Sequence, residues 1–391
     1  MKRRILIPLA VLAAVVVAAG VRLSSESGPG SSPRGDVTAE AGARSPEVRT
    51  PSCAYPATSA EEWCSTVEIE GTWTRYVLMR ADTPSARTMI YDPGGPGVSI
   101  LSRHLGDLDA KAADAHRRGF NLLVIDEPWV VAPYVEECRS ALAGYFASAE
   151  AHYPEVAETS SSEQVRDACL GEANPAEMTA DRYRQIVAAI EQVEDVRVQR
   201  LEGYSFASVR AAYLGTTHPD LVAAVGTPFP VGARAGEFFA AVPSPGAQGD
   251  LESGTLAADS AAAYYQMTGL TTADFEPDVA SRAFWQTDGN GQVSLSRVGY
   301  FSEMCRALTG WDEFSASEIA DNPSLAAQRS LHAVCGGMVP APDLRLPAVT
   351  CFTVLSSDMQ TPWQESELTR GAKIEIVEAG RHGDLTIPSC G

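Results

Sequence analysis

Short apolar runs alternate along the chain with longer segments of helical periodicity. The runs with the length and composition of strands are Thr74 to Arg80, Arg87 to Tyr91, Asn121 to Ile125, Val196 to Leu201, Leu221 to Val225, Ala348 to Leu355 and Lys373 to Val377. The segment from Thr179 to Val193 begins with a capping threonine and carries apolar residues on one face, which predicts an amphipathic helix. Because strands and helices alternate, we expect an α/β fold with a mostly parallel central sheet covered on both faces.

This alternation and its interruptions divide the chain into segments. We expect residues 1–22 to be a signal peptide or N-terminal anchor, and residues 23–52, rich in Ser, Pro and Gly, to be a flexible linker or pro-segment. The sheet is expected in residues 53–230 and 341–391. Residues 231–340 carry helical patterns and aromatic pairs but few strand signals. An insertion of this kind predicts a largely helical cap subdomain that shapes the substrate pocket.

The N-terminus has the pattern of an export signal. Lys2, Arg3 and Arg4 precede an apolar run from Ile5 to Val21, which contains small residues suited to signal peptidase. We therefore expect a secreted, extracellular protein. The alternative is a membrane-anchored protein facing outward, because an uncleaved run of this length is near the lower limit for crossing a bilayer. A membrane is a partner only in that second case.

Eight cysteines follow the export signal. Outside the reducing cytosol an even number of cysteines predicts disulfide bonds, although sequence alone does not determine their connectivity. No pair has CxxC spacing, so we expect no metal site, and no motif indicates a cofactor. The simplest pairing joins neighbours along the chain: Cys53 with Cys64, Cys138 with Cys169, Cys305 with Cys335, and Cys351 with Cys390.

The charge of the chain limits its partners. The formal net charge is -20, and no basic cluster follows residue 50. Binding to phosphate backbones needs a concentrated basic surface, so we expect no nucleic-acid partner.

The strongest chemical signal is the segment from Gly203 to Ala207, which follows a predicted strand and precedes a helix. Its sequence is Gly-Tyr-Ser-Phe-Ala, with Ser205 at the centre. This arrangement is typical of a nucleophile elbow, in which a sharp strand-to-helix turn exposes the serine hydroxyl. Alone, such a pentapeptide also fits an ordinary turn before a helix. Ser205 is the predicted nucleophile.

A glycine-rich loop supports that interpretation. The strand ending at Tyr91 runs into Asp92-Pro93-Gly94-Gly95-Pro96-Gly97, which exposes backbone amides at the carboxyl edge of the sheet. Acyl transfer needs two amides directed at the developing oxyanion. We expect Phe206, the residue after the nucleophile, and Gly95 to supply them, with Gly94 as the next choice.

The remaining catalytic groups should follow in the order acid, then histidine. Asp358 lies just after a predicted strand, and His382 lies in the loop after the last one. Functional groups of parallel sheets collect at such positions. Asp384 is a rival for the orienting acid, but it would have to fold back across its own loop. We therefore predict a triad of Ser205, Asp358 and His382.

Together these motifs resemble the secreted tripeptidyl-aminopeptidase-like and prolyl-iminopeptidase-like branch of the α/β-hydrolases. The resemblance runs from about Cys53 to the C-terminus and includes the Pro-Gly-Gly-Pro-Gly loop, the elbow, an Asp-x-x-Thr-Pro element at Asp358, and a His-Gly near the terminal cysteine. It implies an exopeptidase that removes residues or short peptides from a free N-terminus.

Three departures concern the substrate rather than the chemistry. The family usually has Asn at the position of Asp92 and Gly at that of Ala207, and it carries an Asp-x-Arg-Gly loop where this chain has Asp126-Glu127-Pro128-Trp129. We expect Trp129, together with Tyr204, to form part of the pocket wall. The expected partner is a peptide or a small ester or amide. The alternatives are an exported esterase, amidase or lactonase acting on a non-peptide metabolite, and a non-catalytic binding protein on a hydrolase scaffold.

Overall fold

The computed structural model describes residues 64–83, 87–132, 135–155, 159–171, 174–241, 256, 294–313, 323–356, 358, 362–378 and 385–390. Its strands are β1 (Cys64–Ile69), β2 (Thr72–Met79), β3 (Arg87–Asp92), β4 (Asn121–Ile125), β5 (Arg197–Ser205), β6 (Val222–Pro228), β7 (Val349–Leu355) and β8 (Lys373–Val377). Its α-helices are α1 (Ile100–Arg117), α2 (Glu136–His152), α3 (Thr159–Cys169), α4 (Ala180–Glu194), α5 (Ala207–Leu214), α6 (Ala235–Ala241), α7 (Ser296–Ala307) and α8 (Pro323–Leu331).

All the described strands belong to one sheet of eight, in the order β1-β2-β4-β3-β5-β6-β7-β8. β3 to β8 run parallel to one another, whereas β2 is antiparallel to both β1 and β4. The chain moves from β3 to β4 in one direction along the sheet and then crosses to β5 on the other side of β3. At such a switch point the loops after neighbouring strands open a crevice at the carboxyl edge. The strand order and the mostly parallel sheet confirm the predicted α/β-hydrolase fold.

The central strands are buried on both faces, which explains their nearly continuous apolar sequences. Met89 and Leu122 point to a cluster beside α1, while their neighbours Ile90 and Leu123 point to a larger cluster that contains residues of α4 and α5. This alternation follows from the two-residue period of a strand. Helices therefore cover both sides of the sheet, as the sequence predicts.

The predicted strands differ from the structure at two informative places. β1 was not predicted; it pairs with β2 through a two-residue turn in which Glu70 and Gly71 both have positive φ. Such turns favour Asn-Gly or Asp-Gly, so Glu-Gly is a weak signal. β5 was expected to end at Leu201 but continues to Ser205, because the polar Glu202 is accommodated by an ion pair with Arg118 (Nη1 to Oε1, 2.6 Å).

The predicted helix from Thr179 to Val193 corresponds to α4, and Thr179 caps it by accepting a hydrogen bond from the Arg182 amide at 3.1 Å. A side-chain cap of this kind satisfies one of the unpaired amides of the first turn. The predicted helix start is therefore confirmed to within one residue.

The expected cap, residues 231–340, is helical where the structure describes it, through α6, α7 and α8. Disulfides join Cys138 to Cys169, Cys305 to Cys335, and Cys351 to Cys390, as the neighbour pairing suggested. Cys64 is also disulfide-bonded; its expected partner Cys53, the N-terminal segment and the linker lie outside the described residues. None of the helices in the described ranges is long and apolar enough to span a membrane.

Candidate active site

Ser205 lies at the turn between β5 and α5. Its φ is +52°, a left-handed conformation that few residues other than glycine adopt. The turn brings the chain from the end of the strand into a completely buried helix within two residues, and Ser205 itself stays partly exposed. Strained backbone at a strand-to-helix turn is characteristic of a nucleophile elbow.

The glycine-rich loop after β3 lies directly against this elbow. Gly94, Gly95 and Gly97 have φ values of +96°, +144° and +75°, conformations that only glycine adopts without strain. A Cβ added to Gly94 would lie 2.7 Å from the Tyr204 carbonyl oxygen and 3.0 Å from the Ser205 Cβ. The loop and the elbow therefore approach each other so closely that a side chain at Gly94 would separate them.

Two of the three glycine amides of this loop are already engaged. The Gly94 amide donates to Asp92 Oδ1 at 2.8 Å, and the Gly97 amide donates to the Glu127 carboxyl group at 3.0 Å. For the amides of Gly95 and Phe206 the described part of the chain offers no hydrogen-bond partner. Phe206 is completely buried, whereas Gly95 is exposed at the surface of the loop. Both N–H groups can therefore donate hydrogen bonds to an anionic ligand atom. The geometry favours Gly95 over Gly94 as the second donor of the predicted oxyanion hole.

The predicted acid lies at the same edge of the sheet. Asp358 follows the end of β7 by three residues and is 7% exposed. His382 and its neighbour Asp384 lie outside the described residues. The triad of Ser205, Asp358 and His382 therefore stays a prediction, with the first two residues at the carboxyl ends of parallel strands.

A buried charge cluster, which the sequence analysis did not identify, lies beneath the elbow and the loop. Arg210 of α5 is 1% exposed and contacts three carboxyl groups: Asp92 at the end of β3, Glu127 after β4, and Glu303 of α7. The distances are 3.0 Å from Nη1 to Asp92 Oδ2, 2.5 Å from Nη2 to Glu127 Oε1, and 2.8 Å from Nη2 to Glu303 Oε2. Asp92, Glu127, Arg210 and Glu303 are called the Arg210 cluster below.

Burial and neighbouring charges shift the pKa values of the Arg210 cluster in opposite directions. Burial lowers the pKa of Arg210, but the three neighbouring carboxyl groups more than offset this effect and hold the pKa well above its ordinary value. Burial raises the pKa of Glu127 to about 8, although Arg210 acts in the opposite direction. Burial thus favours the protonated form of Glu127, while Arg210 and the hydrogen bond from Trp129 favour the carboxylate.

Trp129 lies between Glu127 and α7. Its indole N–H donates to Glu127 Oε2 at 2.6 Å. A Cβ added to Gly299 of α7 would lie 2.3 Å from Trp129 Cδ1, so only glycine allows the helix to pack this closely on the indole. Tyr204, the other expected wall residue, is half-buried with its ring 5.9 Å from the Lys111 ammonium. Their contact with substrate stays a prediction.

A second buried group connects the glycine-rich loop to α8. A Cβ added to Gly97 would lie 2.9 Å from the Tyr300 Cβ, and the Tyr300 hydroxyl donates to His332 Nε2 at 2.7 Å. The other ring nitrogen, Nδ1, donates to the Gln328 carbonyl at 2.7 Å. Burial lowers the pKa of His332 to about 4, so the ring is neutral and can both donate and accept.

Among the described residues, no group of three or more His, Cys, Asp or Glu side chains is arranged to hold a metal ion.

No protein-family model and no curated protein matches the chain. Solved structures give weak likenesses at the level of the fold. A hydrolase from Pseudomonas aeruginosa PA01 is 16% identical, with 82% of this chain and 91% of that chain covered and a TM-score of 0.36. Epoxide hydrolase A from Mycobacterium thermoresistibile is 14% identical, with 82% of this chain and 92% of that chain covered and a TM-score of 0.35. A putative aryl esterase from Burkholderia cenocepacia is 13% identical, with 82% of this chain and 91% of that chain covered and a TM-score of 0.36. Scores this low carry no argument about activity.

Proposed function

We propose that this protein is an exported serine hydrolase that works through an acyl-enzyme on Ser205. The observation that carries the proposal is the conformation of Ser205, with φ of +52° at the end of β5, in close contact with the glycine-rich loop after β3. Strained backbone of this kind at a strand-to-helix turn is found where a side chain is held exposed for reaction. Asp358, buried at the same edge, supports a catalytic role for the site.

The reaction would proceed in two steps, acylation of Ser205 and hydrolysis of the acyl-enzyme. The Ser205 Oγ attacks the substrate carbonyl carbon while neutral His382 takes the hydroxyl proton, and Asp358 orients the imidazole. The carbonyl oxygen becomes an oxyanion held by the amides of Gly95 and Phe206. His382 then returns the proton to the leaving amine or alcohol as the bond to it breaks. Water then attacks the acyl-enzyme ester in the same way, which releases the carboxylic acid product and restores the Ser205 hydroxyl.

For the substrate we propose a peptide with a free N-terminus, from which single residues or short peptides are removed. The support is the combination of loop, elbow, Asp-x-x-Thr-Pro element and terminal His-Gly. A second candidate is an ester, amide or lactone of a non-peptide metabolite. Its support is the segment from Glu127 to Trp129. Pro128 and Trp129 stand where the aminopeptidase-like loop has arginine and glycine, and the Trp129 indole is hydrogen-bonded to the buried Glu127 carboxyl group.

Export is proposed on two grounds. The N-terminus has a basic start followed by an apolar run, and the described cysteines are all disulfide-bonded. Disulfides of this kind persist in oxidising compartments.

The test begins with the nucleophile. The purified chain is treated with a fluorophosphonate, and the labelled peptide is identified by mass spectrometry. We expect one label, on Ser205, and none in Ser205→Ala, since only an activated serine reacts. Absence of labelling in the wild type would refute the hydrolase proposal and favour a binding protein.

Substrate class is tested on the same preparation. Aminoacyl and tripeptidyl 4-nitroanilides with free N-termini are compared with their N-acetylated counterparts and with 4-nitrophenyl esters and lactones. The exopeptidase proposal expects release from free N-termini and at least tenfold slower release from blocked ones. Rapid ester or lactone hydrolysis without any peptide cleavage would select the second candidate.

A further inference from the structure

The Arg210 cluster joins the two parts of the predicted oxyanion hole. Arg210 lies in α5, the helix that begins two residues after Ser205. Asp92 accepts a hydrogen bond from Arg210 with Oδ2 and one from the Gly94 amide with Oδ1. The first glycine of the loop is therefore linked to the nucleophile helix through a single carboxylate.

A second link reaches the other end of the loop. Glu127 contacts Arg210 Nη2 with Oε1, and the same carboxyl group accepts the Gly97 amide. Gly95 lies between these two anchored glycines. A Cβ added to Gly95 would lie 3.4 Å from Glu127 Oε1, so the carboxyl group lies close to this residue as well.

Arg210 is the common member of both links. Its guanidinium is planar and presents several N–H donors at fixed angles, so it holds its partners in a defined arrangement that an ammonium group does not reproduce. The third partner, Glu303, belongs to α7. This helix packs against the loop, because a Cβ added to Gly97 would lie 2.9 Å from the Tyr300 Cβ. One buried side chain thus connects the nucleophile helix, the glycine-rich loop and the helix above it.

We infer that Arg210 is a positioning residue that, through Asp92 and Glu127, keeps the Gly95 amide correctly placed relative to the Phe206 amide. This inference rests on the proposed serine hydrolase function. Arg210 does not touch the reacting atoms. Its effect is on stabilisation of the oxyanion, which depends on donor placement to within a fraction of an ångström. The loss of Arg210 should therefore lower kcat more than it raises KM.

The experiment compares Arg210→Lys and Asp92→Asn with the wild type. Lysine keeps the charge but cannot bond three carboxyl groups with the same geometry. Asparagine keeps the shape of Asp92, yet its amide group faces either Arg210 or the Gly94 amide, so one of the two links is lost. Fluorophosphonate titration gives the fraction of active enzyme, and kcat and KM are then expressed per titrated site on the substrate that the wild type turns over best.

The matched control is Arg306→Lys. Arg306 lies in α7, and its Nη1 contacts the buried Glu177 at 2.5 Å, so this variant perturbs a buried ion pair away from the loop. If Arg210 positions the loop, kcat per titrated site falls by roughly 10- to 100-fold in Arg210→Lys and Asp92→Asn, while KM stays within about threefold. Affinity for a trifluoromethyl ketone, whose adduct carries an oxyanion, falls in parallel. Arg306→Lys lowers the melting temperature but leaves kcat per titrated site within about twofold.

A double-mutant cycle separates positioning from general loss of stability. If both residues act through the same link, Arg210→Lys adds little to the effect of Asp92→Asn on kcat, whereas Arg306→Lys combines additively with either. A kcat per titrated site within twofold of the wild type in both variants overturns the inference while the proposed function stands. An equal loss in Arg306→Lys also overturns it. A wild type that is not labelled at Ser205 overturns the proposed function and this inference together.

Discussion

Gly203 provides the sharpest test of how the elbow is built. This residue lies in β5, two positions before Ser205, and pairs with Asp92 of β3. A Cβ at Gly203 would lie 1.7 Å from the Asp92 carbonyl oxygen, 2.7 Å from its carbonyl carbon and 2.9 Å from the Ala207 Cβ. Real Cβ contacts are not shorter than 3.0 Å, so Gly203→Ala must separate Asp92 from β5 by about 1.3 Å.

The displacement falls on the residue that precedes the glycine-rich loop. Overpacking of this size costs typically about 1–3 kcal/mol of unfolding free energy. A shift of about 1 Å in a catalytic group can reduce the rate by about 100-fold. We therefore expect Gly203→Ala to lose about 2 kcal/mol of stability and about 100-fold in kcat per titrated site.

Gly215 offers a control with the same steric problem elsewhere. A Cβ there would lie 1.7 Å from the Arg345 carbonyl oxygen and 2.7 Å from its carbon, at the far end of α5. Neither Gly203 nor Gly215 has a left-handed φ, so the cost is steric in both. Urea denaturation and kcat are measured on both variants. The reasoning is refuted if Gly203→Ala turns over at the wild-type rate, or if Gly215→Ala loses as much kcat.

Three further predictions concern stability. Burial raises the pKa of Glu127 from 4.5 to about 8, so the folded protein keeps a proton that the unfolded chain releases, and stability should fall as pH rises from about 5 towards 8. Urea denaturation at pH 5, 7 and 8 should show a smaller fall in Glu127→Gln, and an equal fall would contradict the assignment. Burial lowers the pKa of His332 from 6.5 to about 4, which has the opposite sign: stability is complete above pH 6.5 and falls by up to about 3 kcal/mol as pH drops towards 4. Melting temperatures of His332→Gln should depend less on pH in that range, and an unchanged dependence would exclude His332 as the cause. Replacing both Cys138 and Cys169 by serine removes a cross-link between residues 31 positions apart and should cost about 3–4 kcal/mol in calorimetry. A loss below about 1 kcal/mol would indicate that the helices α2 and α3 hold the loop without it.

The sequence predicted the central strands of the parallel sheet well because they are buried on both faces and therefore largely apolar. The edge strand β8 is mostly exposed and was recognised from its β-branched residues instead. β4 and β8 match their predicted bounds, whereas β1 was missed because its turn, Glu70-Gly71, is a weak hairpin signal. The glycine-rich loop and the elbow were also recognisable in the sequence, since positive φ values at closely spaced positions require glycine or a strained residue.

The sequence by itself thus determined the parallel strands of the sheet, where its carboxyl edge lies, and which serine and glycines meet there. These features depend on local periodicity and backbone conformation, which neighbouring residues encode. Only the tertiary structure revealed the Arg210 cluster. Arg210 lies 118 residues from Asp92, 83 from Glu127 and 93 from Glu303 along the chain. No local pattern marks such a contact, because buried charges are stabilised by partners that chain folding brings together from different strands and helices.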